Sequence, residues 1–515
     1  MNRQFGTHLL IANTVASYVR LVLSAGLALL SSRWILSGLG ETDFGLYAVV
    51  AGIMAFLSFL TGALASSAQR HFAYSIGEGD AQAVGGWFNA SLLLHIVLAL
   101  LMSIVGVPFG LAMLNGVLNI PADRLSACHI VFACTLISVL TQIVTTPFAG
   151  MLTAKQRIIE LTIYQLTQTI LTFLLAYSLI YIPLDRLLAY AIGVMLIAVA
   201  VSCAQSVRCL VGFQECRLRV ATWRSEWWRV RELIYFAGWT VFGTAGYIAN
   251  TQIMAFLINM FYGPRVNASY GIAAQVSGQV ASISQGLFNA MAPEITSSEG
   301  SGDRDRMIAL ALRMSKWSVL LVCFLLLPVL FETETLLTVW LGEVPMFAPA
   351  LCRVVLLAFL ADQITVGYMV AVSAHGRIAG YQITMGSTMI AGPLIAWAVF
   401  ASGGGVVWAI GAGILAVRSL CSLERVLWVK RLLGVPVRRW LCSVLVRCAA
   451  AIVLPAGAVA YIQTLMEPSV GRLSLSFVAS SAVLLFTCVF IGMDRSERRY
   501  VLGAAGNVVA LLKRA

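Results

Sequence analysis

Residues 40–80 and 263–303 of this chain align without a gap at a shift of 223 positions (263 minus 40). GETDFGLYAVVAGIMAFLSFLTGALASSAQRHFAYSIGEGD meets GPRVNASYGIAAQVSGQVASISQGLFNAMAPEITSSEGSGD. Gly40 pairs with Gly263, Tyr47 with Tyr270, Ala51 with Ala274, Leu64 with Leu287, Ser75 with Ser298, Gly77 with Gly300, Gly79 with Gly302 and Asp80 with Asp303. Each copy lies beside or within a long apolar run, so the chain reads as a duplicated membrane unit. Two parallel copies constrain the fold to twin helix bundles, a plan in which a substrate is held near the midplane.

A chain that is 60% hydrophobic and 11% charged, with mean hydropathy +0.89, has too little polar surface to fold in water. Apolar runs of roughly twenty residues, each enough to cross ~30 Å of hydrocarbon as a helix, recur about fourteen times. The first twelve run near 9–30, 44–64, 88–111, 128–148, 161–182, 187–207, 234–261, 270–290, 317–338, 354–374, 381–400 and 406–428. A last pair, near 441–465 and 475–492, falls outside the repeat. The expected fold is an all-α polytopic membrane protein with two pseudo-symmetric six-helix lobes and an extra C-terminal helix pair. The expected division is 1–210 (N-lobe), 211–232 (basic amphipathic cytoplasmic linker), 233–430 (C-lobe), 431–493 (spans 13 and 14) and 494–515 (basic cytoplasmic tail). The first run is too long and lacks the cleavage pattern of a signal peptide, so it is expected to stay as the first span.

The net charge of +12 is a topology signal rather than a nucleic-acid footprint. With both termini inside, roughly two dozen of the 34 Lys and Arg fall in cytoplasmic segments, where juxtamembrane arginines meet anionic lipid heads. ECRLRVATWRSEWWRVRE, residues 215–232, interleaves tryptophans with arginines and predicts an interfacial helix. The 11 cysteines mostly sit in apolar runs without paired C-x-x-C spacing, so neither zinc sites nor a disulfide framework is expected. All four lysines, Lys155, Lys316, Lys430 and Lys513, lack a preceding glycine, which excludes a P-loop. No metal, cofactor or enzymatic centre is expected.

Polar residues inside spans are the functional candidates, because each must face protein or water. In the first span Asn13, Ser17, Arg20 and Ser24 share one stripe, and Arg20 either ties down neighbouring acceptors or lines an anion-binding cavity. The eighth span carries Gln275, Gln279, Ser282, Gly286 and Asn289 as cavity lining or as helix-to-helix ties; Asn250 and Gln252 admit the same two roles. Asp362 is either a coupling site for a proton or cation, or the partner of an arginine. Glu160, with Tyr164 and Gln168, is a lesser coupling candidate. His95 reads as a packing residue, Arg418 as a deep cation on the twelfth span, and Arg70 and His71 as entry or gating residues or ordinary positive-inside residues. Glu41-Thr42-Asp43 reads as helix-end structure.

LGETDFGLYAVVAGI (39–53), SSAQRHFAYSIGEGD (66–80), LNIPADR (118–124), FAGWTVFG (236–243), FYGPRVNASYGIAAQV (261–276), NAMAPEIT (289–296) and YQITMG (381–386) resemble the signatures of a transporter branch. That branch is the polysaccharide-exporter and O-antigen flippases of the multidrug/oligosaccharidyl-lipid/polysaccharide (MOP) superfamily, with a MATE-like fold. The resemblance covers about the first 430 residues and implies two lobes rocking about a central cavity. It implies as cargo an oligosaccharide on a polyprenyl diphosphate, turned outward across a bacterial inner membrane for surface polysaccharide or lipopolysaccharide assembly. Its expected partners are that lipid-linked oligosaccharide, membrane lipids and polysaccharide assembly proteins, with no nucleic acid. Arg20, with Arg70 and Arg418, would hold the diphosphate, and Gln275 and Gln279 would bind sugar. The alternatives are a MATE-type cation-coupled multidrug exporter and, from another class, a membrane glycan polymerase or ligase. The short outer loops disfavour the last.

Overall fold

The computed structural model describes residues 61–117, 120–183, 185–217, 227–341, 344–494 and 497–498, together with scattered positions from Arg20 to Val50. Asn13 and Ser17, most of the first two expected spans, the middle of the 211–232 linker and nearly all of the tail lie outside the described residues. Among the described residues there is no strand. Helix α1 covers 61–78. It is followed by α2 (Ala81–Ala112), α3 (Leu125–Ala154), α4 (Ile158–Ser178), α5 (Arg186–Gly212), α6 (Trp227–Gly300, broken at Gly263), α7 (Arg304–Phe331) and α8 (Thr333–Leu341). Then come α9 (Ala348–Gln363), α10 (Val366–His375), α11 (Ala379–Ala401), α12 (Val406–Leu433), α13 (Val437–Leu465) and α14 (Val470–Thr487). Ten described helices are long and apolar enough to span a bilayer, and α9 with α10, bent by 43°, makes an eleventh. The eighth expected span is the part of α6 beyond Gly263; its amides and glycines keep it below the apolarity of the others.

The chain divides into two compact units. One is Met1–Val241 with Asn289–Arg304; the other is Phe242–Phe288 with Asp305–Ala515. Each is described by itself. The first thus takes in both ends of α6, a finer division than the lobe boundary drawn from the sequence.

The duplication is visible in the backbone. Gly40 and Gly263 have φ of 78° and 77°, and Gly79 and Gly302 both have 77°, the left-handed region that only glycine enters without penalty. Both repeats close a helix with the same reversal. Gly79 and Asp80 donate to the carbonyls of Ile76 and Ser75, and Gly302 and Asp303 to those of Glu299 and Ser298, each pair displaced by 223. Gly77 and Gly300 are where the two copies touch: a Cβ on Gly77 would strike the Ser297 backbone, and one on Gly300 the Tyr74 backbone. Tyr74 and Ser297 are themselves repeat mates, so the crossing is a local two-fold contact within the first unit.

In the first unit the Arg124 guanidinium bridges Asp43 and Asp185, each at 2.7 Å. Asp43 is thus held in an ion pair. In the second unit, α13 and α14 are fastened by buried charges. Fully buried Glu332 accepts from Arg472 at 2.8 Å, Ser476 at 3.1 Å and Gln463 at 3.4 Å, and Lys316 of α7 pairs with Glu497 at 2.7 Å. Buried away from water such pairs persist only with nearly all their polar atoms satisfied, which fixes where the extra helices dock.

Candidate anion-binding cavity

A cavity of about 210 Å³ lies inside the first unit. Its walls come from α3 (Ala149, Thr153), α4 (Ile158, Leu161, Thr162, Gln165), Gln69 of α1, Asn289 of α6, and Arg20. The α4 residues fall at i, i+3, i+4 and i+7, a single helical face. The stripe expected on this helix, Glu160, Tyr164 and Gln168, is the adjacent face. The lining contains Gln, Thr and Asn but no carboxylate.

Arg20 is half-buried and donates from Nη1 to Gln165 Oε1 at 2.5 Å. A neutral amide orients the guanidinium without neutralising it. Among the described residues the cavity therefore carries one uncancelled positive charge amid hydrogen-bonding groups, an arrangement suited to an oxyanion. Beneath this wall Gln156 sits in the left-handed region at φ 58° and bonds the buried Glu294 carboxylate through its side-chain amide.

The other candidates divide. Ser24 is half-buried on the Arg20 helix but does not line the cavity. Gln275 and Gln279 are exposed on α6, on a face shared with Gly271 and Gly278, around which space is open. Asn250 is fully buried, and its amide donates to the carbonyls of Met389 at 2.9 Å and Gly413 at 3.2 Å. Of its two expected roles, the observed one is the helix tie. A run of π-helix, Gly411–Ala416, includes the Gly413 carbonyl that it meets.

Asp362 is paired: Arg425 Nη1 lies 2.7 Å from its Oδ1. The same guanidinium reaches the Asp362 carbonyl and Thr365 Oγ1, both at 3.3 Å, while Ser422 bonds the Ala361 carbonyl and Trp440 the Ile364 carbonyl. These side chains satisfy the backbone where α9 breaks into α10, which is how a kink survives at membrane depth. Glu160 is likewise bound, to Arg208 at 2.9 Å. Neither coupling candidate is free in this conformation. His71 donates from Nδ1 to the Ser67 carbonyl at 2.8 Å, and its Nε2 accepts from Arg70 at 3.2 Å, so the ring is neutral and fixed. Its ring packs on Trp87, and Arg70 lies between Tyr74 and Phe236. Arg418 is buried under the Tyr247 ring, 4.9 Å away. His95 is buried with Nδ1 on the Ser91 carbonyl, as a packing residue should be.

Reading the sequence missed Gln69, Thr153, Thr162 and Gln165 as lining. The only signal for Thr162 and Gln165 was the i, i+3, i+7 spacing of Ile158, Leu161 and Gln165, masked by the more conspicuous Glu160; Gln69 and Thr153 carried none.

Thirty-four solved chains match the structure. A MATE in the bent conformation superposes with a TM-score of 0.71 at 11% identity, over 84% of this chain and 96% of that one. The fold is that of the MATE transporters. An outward-facing multidrug resistance MATE family transporter of the MOP superfamily gives 0.67 at 11% identity, covering 84% and 97%. A MOP superfamily transporter from Pyrococcus furiosus, described by the reverse polarity of its binding pocket, gives 0.64 at 13%, covering 83% and 95%. No model of a known protein family matches the chain, and no curated protein does. The MATE chains are almost wholly covered while about a sixth of this chain is not, a share equal in size to the segment after residue 430 that holds α13 and α14.

Proposed function

We propose that the chain is a flippase that turns polyprenyl-diphosphate-linked oligosaccharide from the cytoplasmic to the periplasmic leaflet of a bacterial inner membrane by alternating access, for surface polysaccharide or O-antigen assembly. The observation that carries this reading is the cavity of Arg20: a cation oriented by Gln165, amide and hydroxyl walls, and no carboxylate. An organic cation would be repelled there, and a phosphate oxygen would be held by charge-assisted hydrogen bonds. The MATE fold supplies the framework of a membrane carrier, and the sequence signatures quoted above favour the lipid-linked cargo within it. At about 210 Å³ the cavity admits a charged group rather than a whole glycan, since ligand sites run to roughly 300–1,000 Å³. In this reading Arg20 meets the diphosphate.

Two negative charges moving outward down an inside-negative potential of 100 mV gain about 4.6 kcal/mol, from about 2.3 per charge. That drive needs no carboxylate, in keeping with the pairing of Asp362 and Glu160. A cation-coupled drug exporter is the second reading, favoured by the multidrug MATE among the structural neighbours. A deletion strain separates them. Lipid-linked units trapped facing the cytoplasm, with unchanged drug tolerance, support the flippase; drug hypersensitivity with intact surface glycan refutes it. Units accumulating on the periplasmic face refute it in favour of a polymerase or ligase.

A further inference from the structure

The floor of the Arg20 cavity is the turn that joins α3 to α4, since Thr153 before it and Ile158 after it both line the space. Gln156 and Arg157 donate to the carbonyls of Thr153 and Leu152, at 2.9 and 2.8 Å, with Gln156 at φ 58°. This is the reversal with which helices commonly end on glycine. Among the described residues only Gln156 and Phe347 take a positive φ without being glycine. Once that backbone is seen, a second turn can be set beside it: SAHGRI (373–378), between α10 and α11, against TAKQRI (153–158), at a shift of 220 (373 minus 153). Gly376, at φ 91°, stands there where Gln156 stands here. Only glycine is unstrained in that backbone, so the later turn has the residue its geometry asks for and the earlier one has a residue that strains it.

What glycine lacks is a side chain. The Gln156 amide bonds the carboxylate of Glu294, which is 8% exposed. Glu294 lies on α6 five residues beyond Asn289 of the cavity wall (294 minus 289), about 140° around the helix, so Asn289 faces the space and Glu294 does not. The bond therefore ties the floor turn to α6 and holds a carboxylate just off the lining. All of these groups belong to the first unit.

We propose that Gln156 is a positioning residue for anion selectivity: it keeps the Glu294 carboxylate turned out of the cavity, so that the Arg20 charge stays available to an oxyanion. This deepens the flippase reading, on which it rests for the identity of the anion. A carboxylate given access to the cavity would repel a phosphate and compete for the guanidinium.

The experiment reads binding of inorganic pyrophosphate to the full-length protein in detergent, as a saturable rise in Tm over sodium chloride of equal ionic strength, with Arg20→Gln as the blank for the cavity. Gln156→Gly, the residue of the later turn, should raise the apparent Kd about tenfold or more. Gln156→Asn tolerates the left-handed backbone but is one methylene shorter, and should do the same. Adding Glu294→Gln to either variant removes the repelling charge and should return Kd to within about threefold of wild type. A bracing role alone predicts instead that each double variant binds as weakly as its single. An undiminished response in both single variants, double variants no better than the singles, or loss of folding in both singles would overturn the proposal while leaving the cavity in place. A wild type whose response to pyrophosphate does not depend on Arg20 overturns the cavity reading as well, so the two failures are distinguishable.

Discussion

The closest approach of the two repeats can be tested by adding one carbon. A Cβ at Gly77 would lie 2.8 Å from the Ser297 carbonyl carbon and 2.9 Å from the Ser301 nitrogen; at Gly300 it would lie 2.7 Å from the Tyr74 carbonyl carbon and 3.0 Å from its Cα. Carbon atoms rest about 3.5–4.0 Å apart, so either alanine must push two backbones apart by roughly 0.7 Å or more. Overpacking of that kind costs about 1–3 kcal/mol, and alanine returns up to ~1 kcal/mol through its better helix propensity. A net loss of about 1–2 kcal/mol is expected for Gly77→Ala and for Gly300→Ala. Because one alanine already parts the helices, the double variant should lose at least ~0.5 kcal/mol less than the sum. Gly457→Ala, in a helix with nothing near its Cβ, is the control and should be neutral or stabilising. Denaturant titration in mixed micelles measures all four. If both repeat glycines behave like Gly457, or if their costs simply add, the two-fold contact is not what holds the first unit together.

Three further outcomes follow from the ion pairs. Arg425→Gln strips Asp362 of its cation and the α9–α10 break of two donors, so a loss of about 3 kcal/mol is expected, with Asp362→Asn/Arg425→Gln recovering part of it; equal stability of single and double variants would refute the pairing. Arg472→Ala leaves Glu332 charged and fully buried, and should cost about 3 kcal/mol and expose the α13–α14 connection to protease, whereas Glu332→Gln/Arg472→Met should restore protection. Glu215, outside the spans, would be raised by burial alone, but its hydrogen bond with Lys155, a backbone N–H and the Lys155 charge together hold its carboxyl below the ordinary value. The stabilisation it contributes is therefore complete above pH ~4.3 and lost as pH falls through the lower folded value. Glu215→Gln should unfold earlier than wild type at pH 7 and together with it in stronger acid; a gap that persists in acid would contradict this.

What could be read from the letters was what repeats or what is locally periodic. The spans follow from apolar length, and four of the left-handed glycines, Gly40, Gly79, Gly263 and Gly302, were visible as identical residues in two copies, because only glycine takes that backbone without strain. The amide stripe beyond Gly263 was legible for the same reason, and its polarity is what sets that helix apart from the others. Partnership across the chain was not legible. Arg425 lies 63 residues from Asp362, Arg472 lies 140 from Glu332 and Glu497 lies 181 from Lys316, and no spacing rule joins such positions. A carboxylate in a span therefore looked available for coupling when its cation was simply far away in sequence. Arg418 is the converse case: among the described residues it is the buried cation that no carboxylate faces, and its sequence neighbours do not tell it from Arg425. Gln156, with its left-handed backbone, carried no signal at all, since nothing in Lys155-Gln156-Arg157 asks for it.

The central claim is that an uncancelled cation at residue 20 holds the anionic head of a glycolipid during passage between leaflets. The direct measurement is the rate at which a lipid-linked diphosphate sugar becomes accessible on the outer face of vesicles carrying the purified protein, compared between wild type and Arg20→Gln. One charge-assisted hydrogen bond is worth about 1.5–3 kcal/mol, so the account predicts a rate at subsaturating substrate lowered by roughly 10- to 150-fold, with Arg20→Lys recovering part of it. Equal rates for wild type and Arg20→Gln would contradict it.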